Sequence, residues 1–142
     1  MKKMDLRPKD NEELRKLVRN GVLNCEDKNL ICDFNIDIEA SIVNCGNIKC
    51  EDIKCWDINC KDINCHDIDS CDINSNNIKC HDINCDDIIC YDIKCHNLSY
   101  HAICIAYQNI TCNNIKARRK KHIQKAIDGK IKIRKKEKGN RE

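Results

Sequence analysis

Cysteine is the residue type with the greatest capacity for chemistry in this chain, since 14 of its 142 residues are cysteines. Thiolates bind soft metal ions, form disulfides and act as nucleophiles. Zinc sites usually contain two cysteines separated by two residues, and the sequence has no C-x-x-C. Cysteine instead recurs every five residues, at places that also accept Ser70, Ser75 and Ala40. Such a position has a small volume, so the thiols are predicted to be free and to lie in a core.

No motif in the sequence indicates catalysis. The chain has no glycine-rich phosphate loop, no HExxH and no GxSxG. A catalytic cysteine should differ from the others in its surroundings, whereas nearly every cysteine here lies in the same repeat. Cys104, between Ile103 and Ile105, breaks the repeat and is attributed to packing. We therefore expect a protein that is not an enzyme, with no catalytic, cofactor-binding or metal-binding residue.

The elements that position these residues follow from a five-residue repeat. Every fifth position from Ile38 to Ile103 is apolar, and from Asn47 to Asn97 the residue before it is always Asp or Asn. The unit is [DN]-I-x-C-x. A period of five fits neither a helix nor a continuous strand. It predicts a chain that turns a corner every five residues, with one isoleucine inside each side and coils stacked by backbone hydrogen bonds. The predicted fold class is an all-β solenoid.

The repeat resembles that of the pentapeptide-repeat family in its central apolar residue and in the Asp or Asn before it, as in Asp57-Ile58, Asp62-Ile63 and Asn77-Ile78. The likeness covers about half of the chain, from Ser41 to Asn97, and less regularly residues 23–115. It implies a right-handed quadrilateral β-helix with four pentads in each coil. A three-sided coil is the alternative.

The chain departs from the family at the second inward position. In the family an alanine-sized residue lies two places before the central one, where this chain has Glu51, Trp56, Lys61, His66 and His81. The small cysteine lies two places after the central residue instead. The chain also resembles a cysteine-rich subgroup from low-GC bacteria and their phages, to which the likeness assigns no function. In that subgroup DINC and NIKC units precede a Tyr/Ala/Ile-rich segment and a basic tail, here SYHAICIAYQNITCNNIKARRK.

The chain is predicted to divide into three regions. They are a helical N-terminal cap at 1–22, the repeat at 23–115 and a basic extension at 116–142. The N-terminus is charged throughout and has no apolar segment typical of a secretory signal. No run approaches the ~20 apolar residues of a membrane span. We therefore expect a cytoplasmic protein without membrane association.

Both predicted ends of the solenoid contain a helix. Asn11–Asn20 has acidic residues in its first turn and Asp10 or Asn11 available as its N-cap. In the C-terminal extension, a second short helix is predicted from Ala117 to Ile127. Lys130–Arg134 alternates charged and apolar residues and is predicted to add a short strand.

Charge is divided along the chain. Residues 23–115 carry a net charge of −10, whereas residues 116–142 carry +10 and residues 1–22 carry +3. The linear density of the acidic body is close to that of duplex DNA, which has about one charge per 1.7 Å. The alternative is structural, since Asp and Asn side chains readily accept bonds from backbone N–H groups at corners. The candidate acidic partner surface consists of Asp52, Asp57, Asp62, Asp67, Asp72, Asp82, Asp87 and Asp92.

The basic extension supplies a second candidate surface, because clustered lysine and arginine bind phosphates without sequence preference. Its other interpretation is a solvated tail or an intramolecular partner of the acidic body. The candidate basic contacts are Arg118, Arg119, Lys120, Lys121, Arg134, Lys135 and Lys136.

A coil of twenty residues also makes specific predictions about neighbours. It stacks Asp52, Asp72 and Asp92 in one column, where the carboxylates must bond to backbone, pair with lysine or bind a cation. It places His81 beside His101, with His66 and His96 on other sides.

The leading functional hypothesis is a protein-interaction solenoid without enzymatic activity. The family likeness includes DNA-like inhibitors of bacterial topoisomerases, so the hypothesis is a phage or mobile-element inhibitor that presents an acidic surface to a topoisomerase or a defence nuclease. The alternative is binding of nucleic acid or an acidic partner through the basic extension. A third hypothesis is a thiol-rich metal or redox protein. The sequence does not predict the oligomeric state.

Overall fold

The computed structural model describes residues 5–134 and consists almost entirely of short parallel strands. Residues 5–134 contain one helix, α1 (Asn11–Lys16). The strands are β1 (Asp5–Leu6), β2 (Val22–Asn24), β3 (Asn29–Ile31), β4 (Ile36–Asp37), β5 (Ser41–Lys49), β6 (Ile53–Lys54), β7 (Ile58–Asn64), β8 (Asp67–Asp69), β9 (Asp72–Lys79), β10 (Asp82–Asn84), β11 (Asp87–Lys94), β12 (Asn97–Tyr100), β13 (Ile103–Ala106), β14 (Ile110–Cys112), β15 (Asn114–Ala117), β16 (Ile123–Ala126) and β17 (Ile131–Ile133). Within residues 5–134 no helix has the length and apolar character needed to cross a membrane.

The strands stack as the successive coils of a β-solenoid. Ile58 pairs with Ile73, and Ile73 pairs with Ile88, so a coil in the middle of the stack takes 15 residues. Fifteen residues are three pentads. The predicted quadrilateral coil of four pentads is therefore wrong, and the three-sided alternative describes the structure.

The three sides are named face 1, face 2 and face 3 by their inward columns. Face 1 stacks Leu23, Ile42, Ile58, Ile73, Ile88, Cys104 and Gln124. Face 2 stacks Leu6, Leu30, Ile48, Ile63, Ile78, Ile93, Ile110 and Ile131. Face 3 stacks Ile36, Ile53, Ile68, Ile83, Leu98 and Ile115. The eight members of face 2 are joined by seven inter-coil steps, which at ~4.8 Å each span roughly 34 Å.

Two residues of each pentad fill the interior. The central isoleucine is at most 3% exposed throughout the regular coils, and the small residue two places later is buried or half-buried. The position two places before the isoleucine faces solvent, as at Trp56, which is 46% exposed. Three isoleucines and three small side chains, one pair from each side, therefore fill the interior of each regular coil.

The predicted inward positions fail only at the margins of the repeat. In β5 the core residue is Ile42 and not Val43, because the register shifts between Ile42 and Cys45. Asn44 absorbs this shift with φ of 50°. In β13 the residue above Ile88 is Cys104 and not Ile103.

The N-terminal helix is present but shorter than predicted. It covers Asn11–Lys16, and the Asp10 side chain accepts the N–H of Glu13 as its N-cap. Leu14 is fully buried against the core. The Asn11 side chain contacts the first strand of face 3 by accepting the N–H of Asp37 at 3.0 Å.

The predicted C-terminal helix is wrong. Its residues form β15 and β16 with an intervening loop, and Ile123 pairs with Ile103 of the preceding coil. The four-residue spacing of Ile123 and Ile127 indicated a helical face, but the unpaired edge of β13 offers backbone partners that an isolated helix lacks. The strand predicted within Lys130–Arg134 is confirmed as β17, so strand pairing continues beyond residue 115.

We predict that Ile73→Asp unfolds the stack cooperatively. Ile73 lies in the middle of face 1 and is 2% exposed, so its replacement buries a carboxylate without a partner, at a cost of at least about 3 kcal/mol. Circular dichroism melting curves measure the effect. Asn74→Asp is the matched control, because Asn74 is exposed on the same strand. An Ile73→Asp melting curve close to that of the wild type would contradict the fold.

Candidate functional site

The aspartates of the repeat form vertical ladders of side-chain-to-backbone hydrogen bonds. On face 3, Asp52 Oδ1 accepts the N–H of Asp67 at 3.2 Å, and Asp67 Oδ1 accepts the N–H of Asp82 at 3.3 Å. Face 1 repeats this arrangement with Asp57, Asp72 and Asp87. The columns therefore contain residues 15 apart, and the predicted column of Asp52, Asp72 and Asp92 is wrong. Of the three alternatives expected for stacked carboxylates, bonding to the backbone is the one that these columns show.

Asparagine performs the same role where it replaces aspartate. Asn35 Oδ1 accepts the N–H of Asp52 at 3.1 Å, and Asn109 Oδ1 accepts the N–H of Lys130 at 2.9 Å. A side-chain oxygen one coil below is thus the common feature, which explains why the repeat accepts both residue types. The negative charge is not required for the hydrogen bond. Its concentration on particular faces is a separate property of the surface.

Charge is unequal among the three faces. In the three regular coils of residues 51–95, face 3 has five acidic residues and one lysine, and face 1 has four acidic residues and no basic residue. Face 2 has two acidic residues and three lysines. Net charges are therefore −4, −4 and +1. Faces 1 and 3 adjoin, so two thirds of the circumference is strongly acidic.

This division sorts the predicted acidic surface into two groups. Six of the eight predicted residues lie on the two acidic faces: Asp52, Asp67 and Asp82 on face 3, and Asp57, Asp72 and Asp87 on face 1. Asp62 and Asp92 lie on face 2. That face also has an outer column with Lys49, Lys79 and Lys94, so these two carboxylates do not belong to a common acidic surface with the others.

The predicted basic contacts are also divided. The Arg118 guanidinium donates to Asn84 Oδ1, Ser99 Oγ and the carbonyl of Cys85, and it lies 3.5 Å from Asp86 Oδ1. Arg134 donates to the carbonyl of Cys95 at 2.6 Å. Both arginines are therefore attached to the coils beneath them.

The remaining basic contacts have different locations. Arg119, Lys120 and Lys121 are exposed in the loop between β15 and β16. Lys135 and Lys136 lie outside the described residues.

The cysteines form columns at the corners. The longest column follows face 2 and contains Cys32, Cys50, Cys65, Cys80, Cys95 and Cys112. All fourteen cysteines of the chain are free thiols, and ten are buried. The prediction that most of them serve as small core residues is confirmed by this burial.

Burial changes the acidity of the thiols. Desolvation, together with neighbouring thiols and carboxylates, raises the pKa of Cys55, Cys60, Cys95 and Cys104 from 9.0 to about 12. Cys65 differs, because the neighbouring sulfurs of Cys50 and Cys80 in the coils below and above lower its pKa.

Three histidines form a column that the sequence analysis missed. The rings of His66 and His81 stack with centroids 4.6 Å apart, and those of His81 and His96 are 4.1 Å apart. His101 lies above Asp86, outside this column, so the prediction that His101 neighbours His81 is wrong. The signal was present as the triplet C-H-[DN], which recurs at residues 65–67, 80–82 and 95–97. Its interval of 15 residues is the coil length.

Comparisons of the chain with protein-family models, with curated proteins and with solved structures found no match.

The raised pKa values predict that the fold is lost in alkaline solution. Well below pH ~9 the thiols of Cys55, Cys60, Cys95 and Cys104 are neutral in both the folded and the unfolded chain. As the pH rises towards 12, the unfolded chain loses these protons and the folded chain keeps them, so stability falls by about 1.4 kcal/mol per pH unit for each such thiol. Urea unfolding in reducing buffer, from about pH 8 to about pH 11, measures this slope.

Serine substitution tests whether the thiols cause this loss. Ser75 occupies the same column as Cys60, and Ser70 the same column as Cys55, so Cys60→Ser and Cys55→Ser keep a residue that the stack accepts. The double variant should lose stability less steeply with pH than the wild type. An unchanged slope would show that other groups cause the alkaline sensitivity.

Proposed function

We propose that this chain is a non-enzymatic interaction protein whose acidic faces 1 and 3 bind a basic surface on a nucleic-acid-handling protein. The observation that carries the proposal is the segregation of charge, with net charges of −4, −4 and +1 on the three faces of residues 51–95. A solvated rod has no requirement for this asymmetry. A rod that docks through one side gains complementarity and a faster encounter from it.

The spacing of these charges supports a DNA-like surface. Faces 1 and 3 together carry a net charge of −8 over three coils, which at ~4.8 Å per coil is about one charge per 1.8 Å. Duplex DNA carries about one per 1.7 Å. The seven inter-coil steps span roughly 34 Å, close to one turn of the duplex. The rod is longer than a twenty-residue coil predicts, because a shorter coil gives more coils for the same chain.

The ladders also make the acidic surface rigid. Each carboxylate of the columns Asp57–Asp72–Asp87 and Asp52–Asp67–Asp82 accepts a backbone N–H of the next coil, except that the last residue of the second column, Asp82, accepts the Asn97 side-chain amide. A side chain held in this way loses little conformational entropy when a cation of the partner approaches. One oxygen of each carboxylate remains for that partner.

The likeness to pentapeptide-repeat proteins favours particular partners. Certain members of that family are DNA-like inhibitors of bacterial topoisomerases. We therefore propose a topoisomerase or a defence nuclease as the target, and a cytoplasmic inhibitor from a phage or mobile element as the biological role. The likeness is limited to the five-residue unit, because the coil of that family has four sides and the coil of this chain has three.

Binding to a nuclease-treated bacterial lysate tests the proposal. The wild-type chain should retain a DNA-binding protein that duplex DNA displaces, and retention should fall at least tenfold in Asp57→Asn/Asp72→Asn/Asp87→Asn, as expected when several phosphate-like contacts are removed. Asparagine keeps the ladder, as Asn35 shows. The matched control is Asp62→Asn/Asp92→Asn on face 2, which should retain the target. Equal loss in both variants, or no retained DNA-binding protein, would contradict the proposal.

Binding of nucleic acid through the C-terminal region is a second candidate. The observation that favours it is the exposed loop of Arg119, Lys120 and Lys121. If this candidate is correct, the untreated lysate should yield nucleic acid itself on the wild-type chain. Replacement of these three residues by alanine should abolish that retention, and the face 1 variant should not.

A further inference from the structure

A mixed cluster of imidazole and carboxylate lies on the exposed edge between faces 2 and 3. His66 Nδ1 is 3.4 Å from Asp52 Oδ1 and 3.5 Å from Asp67 Oδ1. Within residues 5–134 this is the only group in which three potential metal-ligand atoms lie within 4.8 Å of one another. Two residues come from one coil and one from the coil below, so the coil length of 15 creates the cluster.

The two nitrogen-to-oxygen separations match the edges of a tetrahedral zinc centre. Zinc bonds to histidine nitrogen and carboxylate oxygen measure about 2.0–2.2 Å, so neighbouring ligand atoms in a tetrahedron lie roughly 3.3–3.6 Å apart. The two nitrogen-to-oxygen distances fall in that interval. A cis edge of an octahedral site with the same bond lengths is shorter, at roughly 3 Å.

Hydrogen bonds already hold the two carboxylates in place. Asp52 Oδ1 accepts the N–H of Asp67, and Asp67 Oδ1 accepts the N–H of Asp82. A carboxylate oxygen has two acceptor sites, so each atom can ligate a metal and keep this bond. Ligands of bound metals are commonly oriented by such outer contacts. The ladder that stabilises the solenoid therefore also orients the candidate ligands.

The histidine is held by its own column. The His66 ring stacks on that of His81, while His81 Nδ1 faces His96 Nδ1 at 3.2 Å. His81 and His96 thus satisfy each other, and His66 is left facing the two carboxylates. The side chains of Asp52, His66 and Asp67 are 45%, 56% and 44% exposed, which leaves room for a cation to enter and for a water as fourth ligand.

We propose that Asp52, His66 and Asp67 bind a zinc-type divalent cation, with one imidazole nitrogen and two carboxylate oxygens as ligands. Nitrogen and oxygen donors in a tetrahedral arrangement suit zinc better than calcium or magnesium, which prefer oxygen alone. The site is distinct from the cysteine columns, whose sulfurs suit softer ions. Metal at this edge would link two successive coils.

Titration of the reduced, full-length chain with Co²⁺, followed by displacement with Zn²⁺, tests the site. One equivalent of Co²⁺ should produce the visible absorption of tetrahedral cobalt without the intense near-ultraviolet band of cobalt–thiolate bonds. His66→Asn and Asp67→Asn should each lower the affinity at least tenfold, since each removes or weakens a direct ligand. Asparagine at position 67 can still accept the N–H of Asp82, so the ladder is kept.

Two controls separate this site from general acidic or histidine binding. Asp57→Asn removes a carboxylate with the same backbone bond on face 1, and His101→Asn removes a histidine outside the column. Both variants should bind Co²⁺ as the wild type does. The proposal is overturned by no binding to the wild-type chain, by unchanged binding in His66→Asn, or by a thiolate band that disappears in Cys65→Ser.

Discussion

The whole structure depends on the register between coils, which backbone hydrogen bonds and the Asp or Asn ladders set together. A displacement by one residue would place each isoleucine beside an outward-facing position of the next coil, because the residues on both sides of each inward isoleucine face solvent. The ladder oxygens bond only to the residue that lies directly above, as between Asp57 and Asp72 at 3.1 Å. The same contact therefore aligns the core, stacks the cysteines and gathers the charges on particular faces.

Much of the fold could be predicted from the five-residue repeat. Isoleucine inside, Asp or Asn at the corner and cysteine as a small core residue all follow from residue types and spacing, and the structure contains each of them. The number of sides could not be predicted in this way. A pentad specifies one side and one corner, and the same local pattern can close after three sides or four.

That single difference decided which site residues were predicted correctly. Asp57 and Asp72 were recognised individually, but their column with Asp87 requires the 15-residue interval. The histidine column was missed for the same reason, since His66, His81 and His96 lie on separate sides of a twenty-residue coil. The C-terminal strands could not be predicted either, because the backbone partner of Ile123 is Ile103 and no local pattern records that pairing.

The coil length is therefore the central claim, and nuclear Overhauser effects between backbone protons of the isotopically labelled chain test it most directly. A coil of 15 residues gives nuclear Overhauser effects between residues 15 apart in neighbouring coils, such as Ile58 with Ile73 and Ile63 with Ile78. Effects that join residues 20 apart, such as Ile58 with Ile78, would establish a four-sided coil. They would contradict the acidic faces and the histidine column alike.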